Sequence, residues 1–113
     1  MELPIDNPDA ALYTVGQVAA MLSVQPAFVR RLDTEELVSP QRSDGGQRRY
    51  SRSEILQIQR VSELAGEGLT LAGIRRLFLL EAEVSRLRAE VKRLAAADHD
   101  EPGSKPSPEK SLR

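Results

Sequence analysis

The chain has no cysteine and only one histidine, and each shortage excludes a class of functional site. Without cysteine there is no disulfide, no thiolate zinc site and no thiol redox sensor. The histidine, His99, stands in a segment that reads as a solvated tail, so it predicts neither a metal ligand nor a general base. We therefore expect no metal ion and no cofactor.

Aromatic residues are also scarce, at 4% of the 113 residues, while hydrophobic residues make up 40%. The core must therefore be built from Leu, Val, Ala and Ile, which favours small helices over a large sheet, and the length suits one domain with an extended element. No apolar run is long enough to cross a membrane, and no signal-peptide pattern opens the chain. We expect a mainly α-helical, cytoplasmic protein.

Catalytic groupings are missing as well. No set of His, Ser and carboxylate side chains has the spacing of a reaction centre, and the pair Ser51 and Glu54 suits a helix cap better than catalysis. We predict that the chain is not an enzyme.

The segment GGQRRYS at residues 45–51 joins a tight turn to two cations and an aromatic residue. Two consecutive glycines are best explained by a turn that needs positive φ or by close approach to another surface. We predict a β-hairpin over residues 37–50, called the wing below, with strands at residues 37–41 and 48–50. Arg48 and Arg49 then point to opposite faces, so that one grips a phosphate or base edge while the other braces the wing.

The wing carries local positive charge, although the whole chain has a formal net charge of −1. Residues 42–52 hold four arginines, Arg42 among them, against one aspartate, a net charge of +3. Tyr50 is predicted to offer its hydroxyl to a phosphate oxygen. These features indicate a nucleic-acid contact, and the alternative is a solvated hairpin whose arginines only keep it soluble.

Two short helices are predicted before the wing. Thr14 with Gln17 fits a capping box that opens the first helix, which should end near Leu22. Pro26 suits the first position of a second helix, which should run to about Thr34. The pair has the form of a helix-turn-helix, whose second helix enters the major groove of DNA. The positions of the second helix left for solvent or ligand are Ala27, Arg30 and Arg31.

Two further helices are predicted after the wing. Ser51 with Glu54 forms a second capping box, and the helix that it opens should end at Gly66. Thr70 can cap a final helix over residues 71–97, on the order of 40 Å long.

The final helix carries an apolar stripe, whose members are spaced 3, 4, 3, 4 and 3 residues apart in a heptad pattern. Charged residues flank the stripe, so it must be buried against its own domain or against a second copy of the chain. Because a helix this long outreaches so small a domain, we predict a homodimer. The stripe consists of Leu77, Leu80, Val84, Leu87, Val91 and Leu94.

Both ends of the chain lack periodicity. Residues 1–12 contain two prolines and scattered acids and are predicted to form a flexible arm. Residues 98–113 are rich in Pro, Ser and charge and are predicted to form a disordered tail.

This order of helix-turn-helix, basic wing and terminal coiled-coil helix resembles the MerR family of transcriptional regulators. It is similar in particular to the HspR branch, the repressors of heat-shock chaperone genes. The resemblance covers residues 13–94. It rests on the strings YTV at 13–15, VAAML at 18–22, VR at 29–30, LVSP at 37–40, GGQRRYS at 45–51 and LAGIRRL at 71–77.

The resemblance implies a nucleoid-associated homodimer that acts as a repressor on inverted-repeat promoter DNA. Residues 13–82 would form the winged helix-turn-helix domain and residues 77–97 an antiparallel coiled coil. It also allows a chaperone or other protein as partner. The implied DNA-contacting residues are Arg30 on the second helix, Thr14 at the start of the first, and Arg48, Arg49 and Tyr50 in the wing.

Several positions depart from the family pattern at the end of the second helix. Leu32 and Thr34 stand where the family has an aromatic residue and an arginine, so two backbone contacts are missing. Glu36 replaces the glycine that ends the helix. Asp33, Glu35 and Glu36 are expected to repel phosphate. This acidic end motivates the alternative of a MerR-like protein-interaction adaptor or chaperone modulator that does not bind promoters.

Overall fold

The computed structural model describes residues 7–100, with side chains up to residue 98. The chain divides into two compact units, Met1–Arg75 and Arg76–Arg113. The first contains three helices, a two-stranded sheet and the start of a fourth helix, and the second contains the remainder of that helix. The side chain of His99, which was predicted to be solvated, lies outside the described part of the chain, as do residues 101–113 of the predicted tail. The tail predicted over residues 98–113 is wrong for residues 98–100, which are helical.

The first two helices form the predicted helix-turn-helix. Helix α1 spans Val15–Leu22 and opens with the capping box, in which Thr14 Oγ1 accepts from the Gln17 amide and Gln17 Oε1 accepts from the Thr14 amide. The helix ends at Ser23, which is left-handed with φ 57°. Helix α2 spans Pro26–Thr34 and starts at the proline.

Helix α2 ends in a Schellman motif. The Glu36 amide donates to the Asp33 carbonyl at 3.0 Å, and the Leu37 amide donates to the Leu32 carbonyl at 2.8 Å. Glu36 has φ 61°, the left-handed conformation that glycine adopts most easily. Although Glu36 replaces the usual glycine, the helix still ends in the same backbone conformation, and Glu36 carries the strain of it.

The wing is shorter than predicted. Strand β1 spans Gln41–Arg42 and strand β2 spans Arg48–Arg49, paired antiparallel with Arg42 opposite Arg48. The strand predicted over residues 37–41 is wrong for its first part, because the Leu37 and Val38 amides both donate to the Leu32 carbonyl and their side chains are buried. These residues end α2 and fill the core rather than pairing in the sheet.

Helix α3 spans Arg52–Gly66, opened by the reciprocal capping box of Ser51 and Glu54. Helix α4 spans Leu71–Asp100, and its first turn is capped by Thr70, whose Oγ1 accepts from the Gly73 amide at 3.0 Å. The described residues contain no helix long and apolar enough to span a membrane.

The core of the first unit is aliphatic, with one tyrosine, and draws on α1, α2, α3, the start of α4 and the segments between them. Its buried hydrophobic residues are Val18, Ala19, Val29, Leu32, Leu37, Val38, Tyr50, Ile55, Ile58, Val61 and Ile74.

The segment before α1 is tied to this unit by backbone hydrogen bonds. The Leu12 and Tyr13 amides both donate to the Tyr50 carbonyl at 3.0 Å, and the Ser53 amide donates to the Pro8 carbonyl at 3.0 Å. This differs from the flexible arm predicted over residues 1–12, because residues 8–12 supply partners for the backbone of the wing and of α3. Residues 1–6 lie outside the described part of the chain.

In the second unit, α4 is an amphipathic helix with charged flanks. Two ion pairs lie two turns apart along this helix, Glu83 with Arg86 at 2.7 Å and Glu90 with Arg93 at 2.9 Å. The last five residues of the apolar stripe are between 45% and 64% exposed in the single chain, namely Leu80, Val84, Leu87, Val91 and Leu94.

Candidate nucleic-acid interface

A basic cleft of about 360 Å³ lies in the first unit, where the start of α1, helix α2 and the wing meet. The described residues that line it include four arginines and no acidic residue. We call it the basic cleft. Its lining residues are Thr14, Val15 and Gly16 at the start of α1, Arg30 of α2, and Arg42, Gly46, Gln47, Arg48 and Arg49 of the wing.

The start of α1 presents backbone donors to the cleft. Because the first amides of a helix have no partner within it, the Val15 and Gly16 N–H groups are suited to an anion such as phosphate. Thr14 Oγ1 accepts from the Gln17 amide at 3.2 Å, which holds the first turn of α1 in place. The hydroxyl hydrogen of Thr14 is not used in this bond, so Thr14 can still donate to an anion in the cleft.

Helix α2 contributes one arginine to the cleft. Arg30 is exposed, lines the cleft and makes no ion pair with any residue in the described part of the chain. Ala27 and Arg31, also predicted to face a ligand, are exposed but do not line it. Arg31 lies 3.9 Å from the carboxylate of Glu35, one turn further along the helix.

The two adjacent arginines of the wing were predicted to point to opposite faces, but both line the cleft, and they differ in their partners. Arg48 Nε donates to Asp33 Oδ2 at 2.7 Å, which braces the wing. Arg49 has no ion pair among the described residues, and its Nη1 donates to the neighbouring carbonyl of Arg48 at 3.5 Å. Arg42 shares the Asp33 carboxylate, with its Nη2 at 3.0 Å from Oδ2. Within residues 7–98, Arg49 and Arg30 are thus the arginines of the cleft without an acidic partner.

The acidic residues at the end of α2 are largely neutralised within the first unit. Asp33 is bound by two arginines and its side chain is only 15% exposed. Glu35 receives Arg75 Nη2 on its carboxylate at 3.3 Å and on its carbonyl oxygen. Of the three acids expected to repel phosphate, Glu36 alone is exposed without an ion pair among the described residues.

The predicted contact between Tyr50 and phosphate is wrong. Tyr50 is 0% exposed, and its hydroxyl has no hydrogen-bond partner in the part of the chain that the structure describes. The physical reason is its backbone, which pairs with Tyr13 in an antiparallel bridge, with the Tyr50 amide 2.7 Å from the Tyr13 carbonyl. This pairing directs the ring into the core. Burial raises the pKa of the Tyr50 hydroxyl, and Arg48 opposes that rise.

Sequence reasoning missed several members of the site. Val15, Gly16 and Gln47 line the cleft but were not predicted to do so. Their side chains carry no charge that would indicate a DNA contact, although Gln47 lies inside the GGQRRYS string. The pairing of Asp33 with the wing had no local signal at all. No three or more His, Asp or Glu residues lie close enough to hold a metal ion in the described part of the chain.

Comparisons with known proteins match this architecture. The profile described as "MerR HTH family regulatory protein" matches residues 13–81. A Streptomyces coelicolor protein with the provisional name heat shock protein HspR is 39% identical over 97 residues, covering 85% of this chain and 62% of that protein. The HTH-type transcriptional regulator GlnR of Bacillus cereus is 25% identical over 96 residues, covering 82% of this chain and 74% of GlnR.

A solved structure shows the same fold. The crystal structure of a MerR-family transcriptional regulator from Bacillus cereus superposes with a TM-score of 0.55 at 21% identity, covering 75% of this chain and 73% of that one. The chain spans less than two thirds of the length of the HspR relative. Because the family profile matches more than half of the residues, including α1, α2 and the wing, the chain belongs to the MerR family of helix-turn-helix transcriptional regulators.

Proposed function

We propose that the protein is a sequence-specific DNA-binding repressor that acts as a homodimer on inverted-repeat promoter DNA. The observation that carries this proposal is the basic cleft, in which Arg30 of α2 and Arg49 of the wing stand beside the first turn of α1 without acidic partners among the described residues. Cations on two elements around free helix amides suit a DNA backbone that passes between them.

The elements divide the work of binding. Helix α2 enters the major groove and presents its exposed residues Ala27, Arg30 and Arg31 to base edges and phosphates. The Val15 and Gly16 amides bind a phosphate, and Arg49 grips the backbone beside the groove. Arg42 and Arg48 add positive charge to the cleft while they hold the wing. Residues 13–82 form the DNA-binding part in this proposal.

Dimerisation is proposed from the apolar stripe of α4. Five of its residues are about half exposed in the single chain, which is costly for leucine and valine side chains in water. The heptad spacing suits a coiled coil, and residues 77–97 of two copies would pair antiparallel. A twofold dimer presents two copies of α2 to two half-sites, which is the reason for proposing an inverted repeat.

The resemblance to the HspR branch of repressors is the basis for proposing a repressor, and the similar Streptomyces coelicolor protein carries the name heat shock protein HspR. The alternative adaptor was motivated by the acidic end of α2. That motive is weakened because Asp33 and Glu35 are held by arginines. The adaptor remains as an outcome of the binding test.

The test measures DNA binding by fluorescence anisotropy at several salt concentrations, with a duplex selected by the wild-type protein from a randomised pool. Log K should fall linearly with log salt, and Arg30→Ala or Arg49→Ala should each flatten the slope by about 0.9 for every phosphate that the variant no longer neutralises. Arg86→Ala is the control, because Arg86 lies on α4, pairs with Glu83 and does not line the cleft.

Two results would contradict the proposal. A wild-type protein that selects no duplex and shows no saturable binding would favour the adaptor. Slopes that are the same in wild type, Arg30→Ala and Arg49→Ala would mean that the basic cleft is not the DNA-binding surface.

A further inference from the structure

A single carboxylate oxygen joins helix α2 to both strands of the wing. Asp33 Oδ2 accepts from Arg48 Nε at 2.7 Å and from Arg42 Nη2 at 3.0 Å. Asp33 lies in the last turn of α2, Arg42 in β1 and Arg48 in β2. We call this arrangement the Asp33 clamp.

The register of the wing makes a counter-ion necessary. Arg42 and Arg48 are direct partners across the two-stranded ladder, and like charges directly opposite each other destabilise a sheet. Asp33 offsets this repulsion from a position that is only 15% exposed, where solvent screens the attraction less than at the surface. Arg42 Nη1 also donates to the Gly46 carbonyl at 3.3 Å, so the same guanidinium ties the turn of the wing to the clamp.

Helix preference does not explain an acid at position 33. A negative charge in the last turn of a helix is unfavourable, because the carbonyl end of the helix dipole is itself negative. An acid there also approaches DNA phosphates when α2 occupies the major groove. The arginines of the wing supply the reason for the residue, since they are the partners that its carboxylate contacts.

We propose that Asp33 is a positioning residue for DNA recognition: it holds the wing at a fixed place relative to α2 and thereby raises the preference for operator over other DNA without touching DNA. This inference rests on the proposed function. If Asp33 instead acted only by repelling phosphate, its removal would strengthen binding to every duplex by the same factor.

Asp33→Asn distinguishes a positioning role from simple repulsion, because it removes the charge and keeps the size of the side chain. Loss of the clamp frees two arginines, so affinity for a scrambled duplex should rise. Affinity for the selected duplex should rise less or fall, because the wing is no longer held in register with α2. The ratio of the two affinities should drop by about tenfold, comparable with one mismatched base pair.

Asp44→Asn is the matched control. Asp44 is exposed at the turn of the wing and has no ion pair within the described residues, so the substitution changes the net charge equally and leaves the clamp intact. It should raise both affinities by similar factors and keep their ratio. Asp33→Glu keeps the charge and a carboxylate within reach of the arginines. Its ratio of affinities for the selected and scrambled duplexes should therefore be close to that of the wild type.

The experiment measures all four proteins against the selected and the scrambled duplex by anisotropy, with thermal unfolding to show that each is folded. NMR of the DNA-free protein adds an independent readout, because the Arg48 Nε–H signal of the clamp should shift in Asp33→Asn and stay in place in Asp44→Asn. The positioning role alone is overturned if Asp33→Asn keeps the wild-type ratio of affinities for the selected and scrambled duplexes. It is also overturned if the Arg48 signal does not move in that variant. A wild type that prefers no duplex overturns the proposed function and this role with it.

Discussion

At the scale of single residues, Tyr50 shows how a correct motif can yield a wrong role. Its place after two arginines in a basic wing predicts a hydroxyl that contacts phosphate. Pairing of its backbone with Tyr13 instead turns the ring into an aliphatic core, where the hydroxyl has no partner among the described residues. A buried hydroxyl without a hydrogen bond is destabilising, so the ring rather than the hydroxyl accounts for what Tyr50 contributes to stability.

We expect Tyr50→Phe to leave DNA affinity unchanged and to keep the free energy of unfolding or raise it by up to about 1 kcal/mol. Chemical denaturation and anisotropy measure these two quantities. A marked loss of DNA affinity in a folded variant would show that the hydroxyl reaches the DNA after all.

The same substitution changes the behaviour of the protein at high pH. Burial raises the pKa of Tyr50, so the folded state holds the phenolic proton more tightly than the unfolded state. Binding of this proton contributes to the free energy of unfolding. That contribution is complete below the ordinary tyrosine pKa of about 10 and is lost as the pH rises through the pKa of the folded state. Wild type should therefore lose more stability above that pH than Tyr50→Phe does, as denaturation at a series of pH values would measure.

At the scale of elements, the end of α2 is the point where local sequence and observed backbone disagree. The Schellman motif needs a left-handed residue, and the chain places Glu36 there with φ 61°. The motif forms nonetheless, because Leu37 and Val38 follow it into the core and Arg75 binds Glu35 on both its carbonyl and its carboxylate. Tertiary packing thus overrides the preference of one residue.

Glu36→Gly should raise the free energy of unfolding by about 0.5–1 kcal/mol, since relief of left-handed strain exceeds the greater entropy of glycine in the unfolded chain. Denaturant titration measures the change. Glu36→Gln serves as the control, because it removes the same charge and keeps the strain, and it should leave stability nearly unchanged. Equal gains in both variants would assign the effect to charge rather than to backbone conformation.

The elements themselves were largely predictable. Thr14 with Gln17 and Ser51 with Glu54 form the expected capping boxes, and α1, α2 and α3 end where the sequence indicated. The first strand of the wing was placed too early, because an apolar pair such as Leu37 and Val38 fits an edge strand and a buried loop equally well in sequence.

At the scale of the whole molecule, two surfaces have to act together in the proposed function. The basic cleft belongs to the first unit, and the apolar stripe lies on α4. In that proposal one cleft contacts one half-site, so the affinity of the protein for a full operator would depend on the second copy of the chain. Dimerisation and DNA affinity are therefore expected to change together.

Leu87→Asp should weaken dimerisation by about 100-fold or more, because each of two buried leucines is worth about 1.5–3 kcal/mol. Sedimentation equilibrium measures the dimer, and anisotropy should show a parallel loss of affinity for the full operator. Ala89→Asp is the control, since Ala89 is exposed and lies opposite the stripe in the heptad. A Leu87→Asp protein that stays dimeric would rule out the stripe as the dimer interface.

The sequence by itself determined the features whose signals lie within a few residues of each other. Helix caps, the glycine turn of the wing and the heptad spacing all follow from local geometry. The resemblance to the family came from residue strings, above all GGQRRYS at 45–51 and LAGIRRL at 71–77. Only the tertiary structure decided which charges are available and which are paired. Asp33 lies 9 residues before Arg42 and 15 before Arg48, and Glu35 lies 40 before Arg75. Periodicity and propensity describe neighbours along the chain, whereas these pairs form only when the packed core brings distant segments together.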